Sequence, residues 1–110
     1  MNESISVYES TGNVFADLEL PDAEEALTKA RLAQRIAELV DQKGLTQGQA
    51  AKLFGIEQPK IPLLLRGRLT EFTTDGLLRF LTLLDQDVQI TVRNKASSHQ
   101  HGVVSVTAVG

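Results

Sequence analysis

Residues Thr46–Gly67 read TQGQAAKLFGIEQPKIPLLLRG. Gln47 opens a short helix, Ala51 follows four residues on, and Gly55 sits another four beyond. Ile61 and Leu64 fall where a second helix turns its apolar side back onto the first. Two helices crossing steeply over a tight turn leave room for little more than a methyl group, which accounts for Ala51. The turn residue is commonly held at positive φ, which accounts for Gly55. Met together at fixed offsets, these constraints predict a helix-turn-helix.

Upstream, Pro21-Asp22 announces a longer helix. Asp22 is a good N-cap, and Glu25 three residues later completes a capping box. The helix is expected from about Ala23 to Lys43, with Ala26, Leu27, Ala30, Ala33, Ile36, Ala37 and Val40 as its apolar stripe and Lys43-Gly44 as its stop. Such length leaves its first half free to pack on the N-terminal segment or on a second subunit. Downstream, Arg66-Gly67-Arg68 makes a basic turn. A further helix starts near Thr73, its cap, and carries Leu77, Phe80, Leu81 and Leu84 on one side.

The period then changes. Across residues 87–93, Val88, Ile90 and Val92 alternate with Gln89 and Thr91, the pattern of a half-buried strand. A lone strand leaves backbone donors and acceptors unmet, so it needs a partner from the same chain or a second copy. Residues 1–12 read as a flexible N-terminal segment in which Ile5–Tyr8 could form a short strand. Residues 13–93 form the helix-turn-helix domain with its dimerisation strand at 87–93, and 94–110 are a linker and tail.

At 110 residues and 42% hydrophobic, the chain can bury one core of ordinary domain size. It has no cysteine, so disulfides and thiolate-bound metals are excluded. No apolar run approaches the ~20 residues needed to cross a bilayer. The start, MNESISVYES, lacks the basic and apolar regions of a secretory signal, so a cytoplasmic location is expected. Net charge is −3, yet its distribution is uneven. Residues 1–40 hold eight acids and three bases, whereas residues 41–110 hold six acids and eight bases. Between Gly44 and Thr70 the only acid is Glu57, against Lys52, Lys60, Arg66 and Arg68. Phosphate affinity follows the local field at the docking face, so the basic segment can serve nucleic acid while the acidic one faces away.

These residues bring a family into view. The motif resembles the Cro and phage-repressor helix-turn-helix, also called the xenobiotic response element (XRE) group. More narrowly, NVFADL (residues 13–18), the Pro-Asp-Ala-Glu-Glu helix start, LTQGQAAKLFGI, QPKI, RGRL followed by Phe72, and the closing DVQITV resemble regulators of the HigA antitoxin type. The resemblance implies a mainly α fold: a five-helix Cro/repressor-like domain whose C-terminal β-strand serves dimerisation. It further implies a dimer that binds double-stranded operator DNA, represses its own promoter, and is often encoded beside a RelE-like toxin.

In such a domain the second motif helix enters the major groove and presents its first residues to base edges. Here it is expected to start near Glu57 or Gln58. Gln58 is the best reader, since a glutamine amide can bond adenine N6 and N7 together. Lys60 could reach guanine or a phosphate. Thr46 and Gln47 begin the preceding helix, whose free N–H groups and positive dipole end favour a phosphate. The family resemblance gives Gln47 the same anchoring role, often in contact with the glutamine matching Gln58. Arg66 and Arg68, at the helix exit, are placed to hold the DNA backbone.

Two residues depart from the related pattern, which usually has a small polar residue at Pro62 and a polar or basic one at Leu63. Pro62 predicts a kinked or late-starting helix. Leu63 then projects toward the groove, against a thymine methyl; the alternative is a face that reads DNA poorly. Enzyme chemistry has no support: His99 and His101 sit two apart in a Ser-rich stretch with no further ligand, and no phosphate loop or catalytic set is present. No metal or cofactor is expected. The readings kept beside the repressor–antitoxin are an interaction module that neutralises a RelE-like toxin with little DNA binding, and a stand-alone repressor without a toxin.

Overall fold

The computed structural model describes residues 23–109. Among them four helices occur: α1 (Ala23–Gln42), α2 (Gln47–Phe54), α3 (Lys60–Leu65) and α4 (Thr74–Leu83). Lys29–Val88 forms one compact unit, and the other described residues, 23–28 and 89–109, belong to another.

The Lys29–Val88 unit is helical because its sequence gives each helix a start, an apolar side and a stop. Along α1, Leu32, Ala33, Ile36, Leu39 and Val40 are buried, the spacing of one helical face. The expected stripe was turned too far toward alanine. Ala26 and Ala30 are exposed, whereas Leu32 and Leu39 are in the core. Burying leucine removes several times more apolar surface from water than burying alanine, so the leucines set the helix's rotation. Thr46 starts α2, and Thr73 starts α4 as expected, its Oγ1 accepting from the Gly76 N–H at 3.0 Å.

All four helices stop in the same way, with one residue in the left-handed region: Gly44 (φ 65°), Gly55 (φ 71°), Gly67 (φ 77°) and Asp85 (φ 66°). After each, the next N–H reaches back five residues to a helix carbonyl: Leu45 to Val40, Ile56 to Ala51, Arg68 to Leu63 and Gln86 to Leu81, at 2.8–3.1 Å. This closure satisfies carbonyls that a helix end otherwise leaves unpaired.

Every helix supplies the core: Ile36, Phe54, Ile61, Leu64, Leu77 and Leu84 are almost fully buried. Phe54 of α2 stacks on Phe80 of α4 with ring centroids 4.4 Å apart, and Phe72 meets Phe80 edge-on at 6.4 Å. Ala51, Ile61 and Leu64 are buried as the motif requires.

In the second unit, the Val104 N–H donates to Glu24 Oε2 at 3.0 Å, and Val103 and Val106 are half-buried. Lys95 Nζ donates to the His99 carbonyl at 3.0 Å.

Two expectations are not met among the described residues. No fifth helix is present among the described residues. Nor is there a strand at 87–93: none of the described backbone hydrogen bonds involves these residues, and Val88, Ile90 and Val92 are 38%, 73% and 91% exposed. A strand exists only when its edge is paired, and the described residues offer this one no partner. The expected cap Asp22, the expected strand Ile5–Tyr8 and the NVFADL segment lie outside the described residues.

Candidate nucleic-acid interface

The start of α2 is built by a reciprocal cap. Thr46 Oγ1 accepts from the Gln49 N–H at 3.1 Å, and Gln49 Oε1 accepts from the Thr46 N–H at 2.9 Å. Two of the helix's orphan donors are thereby met, and those of Gln47 and Gly48 have no partner among the described residues. Thr46 therefore organises this end, while the Gln47 and Gly48 N–H groups are the ones available to an anion. Gln49 was missed in the sequence, although Thr46-x-x-Gln49 is itself a capping-box pattern.

The turn after α2 ends at Gly55, and α3 starts only at Lys60 rather than at Glu57 or Gln58. Ahead of it, residues 57–60 close a tight turn with Gln58 and Pro59 at its centre. Pro59 takes the N-cap place with φ −60°, and the Lys60 and Ile61 N–H groups bond the Glu57 and Gln58 carbonyls at 3.0 Å each. Pro62 then falls in the first turn, where a helical N–H has no carbonyl partner to lose. Of the two outcomes open for Pro62, the late start is the one observed.

Gln58 thus stands in the turn before α3. Its side-chain Oε1 lies 3.5 Å from the point that a Cβ on Gly48 would occupy. The amide therefore lies against Gly48 in the first turn of α2. Lys60, the first residue of α3, has Nζ 3.8 Å from Glu71 Oε1, and both side chains remain well exposed. Glu71 is a second carboxylate beside the basic segment, one residue past the window in which only Glu57 had been counted. An exposed pair at that distance contributes at most ~1 kcal/mol and exchanges readily for a better partner. Leu63 is half-buried on α3. Arg66 caps α3, and Arg68 follows Gly67; both are exposed. Thr46, Gln47, Gly48 and Gln58 are thus gathered around the start of α2, while Lys60 begins α3 and Arg66 and Arg68 flank its exit. Among the described residues no group of His, Asp or Glu is arranged to hold a metal ion, and no helix is long and apolar enough to cross a membrane.

A capped short helix, a left-handed glycine turn and a second helix packed on the first define the helix-turn-helix class. The family model for a helix-turn-helix domain matches residues 14–93. A solved structure named as an XRE-family transcriptional regulator is 42% identical, with a TM-score of 0.75 over 81% of this chain and 100% of its own. No curated protein matches. The chain belongs to the XRE family of helix-turn-helix regulators.

Proposed function

We propose that the chain is a sequence-specific DNA-binding repressor that acts in the cytoplasm as a homodimer, and that it is the antitoxin of a type II toxin–antitoxin pair repressing its own promoter. The observation that carries the DNA reading is the placement of the Gln58 amide against Gly48 at the start of α2, where the Gln47 and Gly48 N–H groups have no partner among the described residues. One phosphate on those N–H groups brings the Gln58 amide to the groove edge, where it bonds adenine N6 and N7. Lys60 leaves Glu71 for guanine or a phosphate, and Leu63 meets a thymine methyl. Gln47, Arg66 and Arg68 hold the backbone, with Thr46 fixing the helix end that Gln47 occupies.

The test is binding of the purified chain to DNA from upstream of its own coding region, against scrambled DNA, over a range of salt. Retention of the upstream DNA at least a hundredfold more tightly supports the reading. Equal retention of both overturns sequence-specific repression. The antitoxin role rests on the resemblance to HigA-type proteins. Its test is co-expression with the product of the adjacent gene: a stable complex that relieves growth arrest supports it, and arrest without complex leaves a stand-alone repressor.

A further inference from the structure

Glu71 returns a carboxylate to the start of the motif's second helix. Its Oε1 lies 3.8 Å from Nζ of Lys60, the first residue of α3 and the only charged one in it. The single charge that α3 carries is therefore held beside an acid. We infer that Glu71 is a specificity-determining residue that acts through Lys60, withholding the ammonium from DNA phosphates and keeping it for a guanine edge. The inference rests on the DNA-binding reading above and chooses between the two destinations given there for Lys60.

The backbone places Glu71 without help from the ion pair. The Phe72 N–H donates to the Leu69 carbonyl at 3.0 Å, closing a turn around Glu71. The Phe72 ring is buried and meets Phe80 edge-on. Thr73 then caps α4. A turn, a buried ring and a helix cap thus fix the carboxylate's position. Both side chains of the pair are well exposed, so the pair itself adds little to stability. Its effect falls on what Lys60 can bind.

Phosphate and guanine make different demands on this pair. A lysine ammonium has three N–H donors. Guanine presents O6 and N7, both neutral acceptors, so the ammonium can bond the base while still turned toward Glu71. A phosphate is itself an anion. If it shares the cation with Glu71, two like charges are brought close together. If it takes the cation alone, breaking the pair offsets part of the gain from counterion release. Either way the sequence-blind contact is weakened and the base contact is spared, so a repulsive group raises specificity while lowering affinity. Glu57 provides the comparison. Its carbonyl accepts from the Lys60 N–H at 3.0 Å, but its side chain makes no ion pair among the described residues.

The test sets Glu71→Gln against Glu57→Gln, which remove the same charge, each alone and in a Lys60→Met background. Binding-site selection defines the preferred duplex, and affinity for it and for a scrambled duplex is measured over a range of salt. Glu71→Gln is expected to bind scrambled DNA about fivefold more tightly per subunit, with a salt slope steeper by about one, the mark of one added phosphate contact. Affinity for the selected duplex should change by less than about twofold, and preference for guanine at one position per half-site should weaken. In the Lys60→Met background, Glu71→Gln should do no more than Glu57→Gln does. Equal gains on both duplexes would make Glu71 an ordinary repulsive charge and overturn the inference. So would an effect that survives Lys60→Met. A melting temperature lowered by more than about 5 °C in Glu71→Gln would make the pair a structural brace and overturn it too. If the unaltered chain selects no preferred duplex, sequence-specific binding and this inference fall together. A clear preference that Glu71→Gln leaves untouched removes the inference alone.

Discussion

Ala51 and Gln58 show two different ways in which one residue matters here. Ala51 is buried on α2, the first helix of the motif. Ala51→Leu is expected to cost ~1–3 kcal/mol through overpacking, seen as a lower denaturant midpoint. An unchanged midpoint would mean that the helices do not cross closely there. The Gln58 side chain is exposed and makes no hydrogen bond among the described residues, so its replacement should leave stability within ~0.5 kcal/mol. In binding-site selection, Gln58→Ala should relax preference at one base pair per half-site by ~1–3 kcal/mol. Gln47→Ala and Arg66→Ala should weaken all sequences alike. Retained preference at every position after Gln58→Ala would pass the reading role to Lys60, Leu63 or DNA shape. The burial of Ala51 and the turn position of Gln58 were legible because residue type and offset express them directly. Glu71 was not, since its place beside Lys60 depends on how the chain after α3 returns.

The helices themselves were largely readable, because caps, glycines and apolar spacing all act locally. What the pattern missed was the rotation of α1 and the start of α3. The first is settled by competition between leucine and alanine for one core. The second is settled by the tight turn at 57–60, which takes up the residues that the expected alignment of the motif had given to the helix. The shared helix endings make a paired prediction. Gly55 and Asp85 hold the same left-handed conformation, and a Cβ on Gly55 would touch nothing within 4 Å. Gly55→Ala should therefore cost ~1 kcal/mol from backbone strain alone. Asp85→Gly should recover a similar strain and lose only an exposed ion pair with Lys43, for a net gain of ~0.5 kcal/mol. Thermal unfolding of the two variants checks the sign of each; a destabilised Asp85→Gly would show that the ion pair outweighs the strain.

At the scale of the molecule, a chain of net charge −3 is expected to bind a polyanion through a local basic face. Affinity for operator should fall linearly with log salt, and Arg66→Ala should flatten the slope by about two in a dimer, one lost phosphate contact per half-site. A slope unchanged by this variant would place Arg66 away from the backbone. Whole-molecule properties were the least legible from residues alone. An isolated alternation such as Val88–Val92 states that an edge wants a partner, but pairing belongs to two segments at once, and the second is not encoded beside the first.

The shortness of α3 carries a consequence for how much a genome can be told apart. Six residues rise only about 9 Å, the height of fewer than three base-pair steps. Under the proposed reading, with Gln58, Lys60 and Leu63 as readers in each subunit of a dimer, a half-site would hold at most about six bits of information, and two half-sites about twelve. Picking one address among roughly a million competing sites takes about twenty bits. The shortfall has to come from the spacing of the half-sites and the deformability of the DNA between them. Otherwise many decoy sites are occupied, and occupancy at the intended promoter is set by how many copies of the protein the cell contains.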